Sequence, residues 1–149
     1  MSNFKELLDT NVDNIKAPPA LPEGNYHGTI LSYEFGDDNK NKTPYARFKV
    51  QLHSAGDDVN QSDLVDIDLS KRIFASDVYL QTRTGEDQRF RLVNFIKSLG
   101  IDVAGRQLIE LVPETVGGNV MLYIEQYFNP NAAEGEPARN RVGRMTGVA

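Results

Sequence analysis

The sequence predicts a mostly-β domain with one main helix, and three observations predict it. PYARFKVQLH (44–53) alternates strictly, with Ala46, Phe48, Val50 and Leu52 on one side and Tyr45, Arg47, Lys49, Gln51 and His53 on the other. That is the period of a half-buried strand. Similar segments recur, separated by polar, turn-rich stretches such as GDDNKNKT and SAGDDVNQ. One long stretch, TGEDQRFRLVNFIKSLG, carries Phe90, Val93, Ile96 and Leu99 near helical spacing. It lies between an N-cap candidate, Thr84, and a natural stop, Gly100.

The elements follow in order. Residues 1–23 read as an N-terminal arm and linker. Phe4, Leu7, Leu8, Val12 and Ile15 sit near helical spacing, but Pro18, Pro19 and Pro22 stop any helix. The domain proper is expected over 24–149. GNYHGTILSYEF reads as a long first strand, with Gly28 marking a bulge or bend. PYARFKVQLH is the second strand. DLVDIDL (63–69) alternates again and is expected as the third, with Val65, Ile67 and Leu69 inward and Asp66 and Asp68 outward. The main helix follows at 85–99. RQLIELVPE reads as a helical turn ended by Pro113, GGNVMLYIEQYF as the fourth strand, NPNAAEGEPA as a long loop and RNRVGRMTG as the last strand. A helix between the third and fourth of five strands is the order of the OB-fold, a small Greek-key barrel.

A chain of 149 residues fits one domain with a real core, needing neither disulfides nor metal. It has no cysteine, which excludes a disulfide framework, a thiolate zinc site and a cysteine nucleophile. His27 and His53 are the only imidazoles, so neither a zinc enzyme nor any bound metal or cofactor is expected. MSNFKELLDT lacks the basic and apolar regions of a signal peptide, and no apolar run approaches the ~20 residues of a membrane helix. The expectation is a soluble cytoplasmic protein without membrane partners.

The net charge of −5 argues against a plain electrostatic binder of nucleic acid. The charge is unevenly spread, however. Residues 54–70 hold five aspartates and no cation, so the rest of the chain sums to zero. Within that remainder, 44–53 carries two cations and 139–149 three, with no acid in either.

In an OB-fold, strands 2 and 3 form the binding face, and the loops joining strands 1–2 and 4–5 flank it. Single strands of nucleic acid need cations for phosphates and aromatic faces for bases. Tyr45, Arg47 and Lys49 supply both on one strand face. Lys40 and Lys42 join them from the first loop, Tyr127 from the second, and Arg139 and Arg141 from the last strand. Arg144 shares that last face if Gly143 marks a bulge. The competing explanation is that strand faces carry such residues simply because they are wet. Asp66 and Asp68 are the rival signal. Paired carboxylates hold magnesium in phosphoryl chemistry, but no nuclease, calcium-loop, phosphate-loop or nucleophile-elbow pattern accompanies them. On a third strand beside the second, they would repel phosphate or pair with Arg47 and Lys49.

ALPEGNYHGTI with its Pro22, Gly24 and Tyr26, then YARFKVQL, a helix ending in SLGID, GRQLIEL, NVMLYIEQ and a late NRVGRM resemble a family of small phage-encoded proteins. Several related groups of that family are regarded as OB-fold single-stranded-DNA-binding proteins. The resemblance spans about residues 20–147. It implies non-catalytic strand protection in phage DNA replication or recombination, in the host bacterial cytoplasm. The implied partners are single-stranded DNA and phage replication or recombination proteins, with homo-oligomerisation left open. Cellular proteins of this function usually end in an acidic tail that recruits partners. This chain ends in GRMTGVA, a departure that bears on how partners would be recruited. The alternative is a structural or adaptor protein, a virion component or an enzyme partner, docking through Phe4, Leu7 and Leu8.

Overall fold

The computed structural model describes residues 4–14, 19–128, 130 and 138–149. Among these residues, five strands form one antiparallel sheet: β1 (Gly24–Asp37), β2 (Pro44–Ala55), β3 (Ile73–Tyr79), β4 (Asn119–Tyr127) and β5 (Arg139–Val148). Three α-helices accompany them: α1 (Phe4–Leu8), α2 (Arg89–Ser98) and α3 (Leu108–Glu114). The sheet order is β3-β2-β1-β4-β5. β1 is therefore the central strand. It pairs with β2 along most of its length and with β4 over Gly24–Thr29. The edge strands β3 and β5 approach with Cα atoms within 8 Å, but no ladder joins them among the described residues, so the sheet is not closed.

The alternation read in β2 sets the core. Ala46, Phe48, Val50 and Leu52 are all fully buried, with Tyr26 and Ile30 of β1 and Val120, Leu122 and Ile124 of β4. The Phe48 ring meets Phe95 of α2 at a centroid distance of 5.1 Å. The β1–β2 register shifts at His27/Gly28, where the extra residue is His53 of β2, and again between Ile30 and Ser32, where Leu31 is the extra residue of β1. The bulge in β1 is therefore at Leu31 and not at Gly28; a Cβ at Gly28 would still meet Val50 Cγ1 at 2.6 Å. Residue 21, within the expected arm, also belongs to the core. Leu21 is fully buried, its N–H donates to Asn140 Oδ1 at 2.7 Å, and its carbonyl accepts from Gln126 Nε2 and Asn140 Nδ2.

The third strand is not where the alternation placed it. Residues 61–64 and 69–71 form 3-10 turns, and Val65 is 80% exposed instead of inward. Polar side chains hold these turns. Asn60 Oδ1 accepts the Ser62 N–H, and Asp68 Oδ1 accepts both the N–H and the hydroxyl of Ser70. Such local bonds offer the backbone an alternative to a ladder. β3 is instead IFASDVY, paired with β2 from Tyr45↔Tyr79 to Gln51↔Ile73.

The main helix also starts later than expected. Thr84 and Gly85 lie in a tight turn, where the Thr82 N–H donates to the Glu86 carbonyl at 2.9 Å and Gly85 takes a φ of +92°. α2 begins at Arg89 and buries Leu92, Phe95 and Ile96, leaving Phe90 exposed. α3 covers the expected helical turn and buries Leu111 and Val112, with Pro113 in its last turn. Ile15 and most of the expected NPNAAEGEPA loop lie outside the described residues. Among those described, no helix is long and apolar enough to cross a membrane.

Candidate nucleic-acid interface

The outer face of the β2–β3 pair brings most of the expected platform together. Tyr45, Arg47 and Lys49 stand opposite Tyr79, Asp77 and Ala75. The Tyr45 and Tyr79 rings meet edge to face at 5.8 Å, a favoured aromatic geometry. The Tyr45 ring also lies over Gly36 of β1, where a Cβ would meet its hydroxyl oxygen at 2.8 Å. Arg47 covers the ring, with Cζ 4.8 Å from its centroid. Tyr45 is consequently half-buried, whereas Tyr79 is 40% exposed. Tyr79 was not legible as a site residue because its strand was not. Burial, with the Asp77 and Asp38 carboxylates, pushes its hydroxyl pKa up.

Arg47 is held on this face by acids. Nε donates to Asp77 Oδ1 at 2.7 Å and Nη2 to Asp77 Oδ2 at 3.0 Å, while Nη1 lies 3.6 Å from Glu34. The bond to Asp77 is the main reason its pKa is driven further up. Lys49 is exposed and has no partner among the described residues. The Gln51 amide donates to the Ser70 carbonyl at 2.7 Å.

The β1–β2 turn places Lys40 and Lys42 beside the Tyr45 end of β2. Asp38 organises it: Oδ1 accepts the N–H groups of Lys40 and Asn41, and its carbonyl accepts that of Lys42. Both lysine side chains are exposed and unpartnered among the described residues.

The acidic segment lies elsewhere. Asp66 is exposed between the two 3-10 turns, Asp68 caps the second, and Ser70 meets β2 at Gln51, toward the far end from Tyr45. Neither aspartate sits on a strand beside Arg47 or Lys49; the acid that pairs with Arg47 is Asp77. Asp58 has a structural task, accepting the backbone and side-chain N–H groups of Asn25 at the start of β1. Among the described residues, no group of three His, Asp or Glu side chains is placed to hold a metal ion.

β5 carries the second basic strip. The β4–β5 register shifts between Tyr123 and Ile124, which leaves Gly143 as an extra residue in β5. That bulge puts Arg139, Arg141 and Arg144 opposite Tyr127, Glu125 and Tyr123, all on one face. Arg141 Nε donates to Glu125 Oε2 at 2.8 Å, and its guanidinium lies 5.6 Å from the Tyr127 ring centre. Phe128, one residue on, is 75% exposed.

Between β3 and β5 opens a cleft of about 860 Å³. Its walls include Asp77 and Tyr79 of β3 and Arg141 and Arg144 of β5, and Arg83 and Arg91 line it as well. Arg83 and Arg91 do not stand out in the sequence, since each lies in a stretch that also holds acids. No protein-family model matches this chain, and no curated protein matches it.

Proposed function

We propose that this protein is a non-catalytic, sequence-tolerant binder of single-stranded DNA, built on an OB-like, partly open barrel. Three features support the barrel reading: a central β1 shared by β2 and β4, a main helix between β3 and β4, and edge strands that come side by side. The observation that carries the functional reading is the Tyr45–Tyr79 pair on the outer face of β2–β3. It is bordered by Lys49, by Lys40 and Lys42 of the turn, and by the basic face of β5. Bases stack on the aromatics and the flanking cations meet phosphates. Arg47 serves this face as a brace, its charge answered by Asp77. The setting that fits is phage DNA replication or recombination.

The test is fluorescence anisotropy of a labelled poly-dT of about 30 nucleotides, several site sizes long, at two salt concentrations. Tight binding that weakens with salt and is poorly competed by duplex supports the reading. No binding at micromolar protein and low salt removes it.

A second reading has its own observation. Phe4, Leu7 and Leu8 of α1 are each at least two-thirds exposed, which suits an adaptor that docks through its N-terminus. An adaptor forms stoichiometric, salt-insensitive protein complexes and binds no oligonucleotide.

A further inference from the structure

We infer that the phosphodiester backbone runs along the seam between β3 and β5, with Arg83, Arg91 and Arg144 carrying its phosphates. This rests on the single-stranded-DNA reading above and fixes the path of the strand, which the fold alone leaves between two surfaces.

One surface is the face of β2. There, Arg47 is neutralised by Asp77 and Glu34, and Lys49 is the one β2 cation without a partner among the described residues. The other surface is the seam. Four arginines line it: Arg83, Arg91, Arg141 and Arg144. Arg83 and Arg144 are exposed and have no partner among the described residues. Arg91 donates Nε to Gln88 Oε1 at 2.8 Å and lies over the Phe90 ring, which leaves both terminal nitrogens without a hydrogen-bond acceptor among the described residues. Arg141 is the exception, tied to Glu125.

The two acids in the same walls, Asp77 and Asp38, are outnumbered by the four arginines, and Asp77 is itself paired with Arg47. Both oxygens of Asp77 accept from Arg47, and Asp38 Oδ1 accepts two turn amides. The seam therefore presents unanswered positive charge while the β2 face presents little. A guanidinium is also the better phosphate donor, because its planar fork makes two parallel bonds.

The seam supplies the other requirements as well. As the two edges of an open sheet, β3 and β5 turn alternate backbone N–H groups toward it. Tyr79 stands in its wall, on the same outer face as Tyr45, so a strand lying in the seam places bases against the aromatic pair. A volume of about 860 Å³ is within the range of sites that enclose organic ligands.

The experiment is a salt titration of poly-dT affinity for the full chain and for Arg83→Ala, Arg144→Ala and Arg106→Ala. The expected result is that Arg83→Ala and Arg144→Ala each bind several-fold more weakly and lower the salt slope by about 0.7, the single-strand value per phosphate. Arg106→Ala, at a side chain that pairs with Glu114 of α3 and does not line the seam, leaves that slope unchanged. Arg83→Glu and Arg144→Glu, at exposed positions that tolerate charge reversal without unfolding, bind more weakly still. Unaltered slopes in the Arg83 and Arg144 variants, with the parent binding tightly, overturn the seam path and leave single-stranded-DNA binding standing. A parent that binds no oligonucleotide overturns both.

Discussion

Arg47 and Asp77 face each other across the β2–β3 ladder, and the guanidinium grips the carboxylate through two nitrogens, at 2.7 and 3.0 Å. The pair joins the most regular strand of the sheet to an edge strand. It also decides the electrostatics of the outer face, because it answers a cation that would otherwise meet a ligand.

The pair is partly exposed, and solvent screens it. A double-mutant cycle with Arg47→Ala and Asp77→Ala is expected to give a coupling of about 1 kcal/mol, the upper end for exposed pairs, because the geometry is bidentate. Urea unfolding of the four proteins measures it. Strictly additive losses would show that the pair contributes no coupling. Asp77→Asn is also expected to tighten poly-dT binding, since it leaves the Arg47 charge unanswered beside the seam.

Tyr79 is expected to matter at least as much as Tyr45. Either alanine substitution should cost about 1–3 kcal/mol of oligonucleotide affinity, the range for one lost stacking partner. Quenching of tyrosine fluorescence by poly-dT should fall in both variants. Full affinity in Tyr79→Ala would take the aromatic pair out of the binding surface.

Gly147 is where α2 lies on β5. A Cβ there would meet Ser98 Oγ at 2.5 Å and the Leu99 nitrogen at 2.7 Å, and the Gly147 N–H already donates to that hydroxyl at 2.8 Å. Gly147→Ala must push the helix off the strand, and overpacking of this kind costs about 1–3 kcal/mol. A fall in the urea midpoint at constant slope is the expected readout. An unchanged midpoint would mean the helix end yields freely.

Tyr26 gives the fold an alkaline limit. Burial, and secondarily the Asp58 carboxylate, push its hydroxyl from 10.0 up to about 12, with Arg72 opposing. The neutral hydroxyl donates to the Pro22 carbonyl at 2.5 Å. Because the folded-state value is the higher one, the contribution is complete below pH 10 and is lost as pH rises toward 12. Tyr26→Phe should cost about 1 kcal/mol at neutral pH, the net worth of a typical hydrogen bond. It should also flatten the decline in stability across that alkaline window. Parallel declines in parent and variant would count against this assignment.

Much of the fold was legible because β2 states its pattern without interruption. Phe48, Val50 and Leu52 are core, and their neighbours on the other side are outward, as alternation requires. β3 was not legible. Its sequence IFASDVY sets Ile73 and Tyr79 outward and Phe74 and Val78 inward, so apolar residues stand on both faces and a serine occupies an inward position. The neighbouring DLVDIDL alternates better, but its polar side chains cap tight turns instead. The helix boundary failed for a related reason. Thr84 looks like a cap, yet Gly85 closes a turn through its positive φ and α2 begins beyond it. Of the site, Tyr45, Arg47, Lys49 and the β5 arginines could be read from strand period. Arg83, Arg91 and Tyr79 could not, because only the meeting of β3 and β5 brings them together.

β1 being the shared strand has a consequence for how the chain is made. Gly24 pairs with Ile124 and Thr29 with Asn119, so β1 finds its second neighbour only after β2, β3, α2 and α3 have been made. The β1–β2 hairpin is local, so its pairing is available once both strands leave the ribosome. Tyr26 and Ile30 then wait uncovered, beside a bare strand edge, until β4 emerges. Contacts so distant in sequence slow folding and expose the nascent chain to wrong pairings. The pairing of β4 with β1 is the step expected to limit folding.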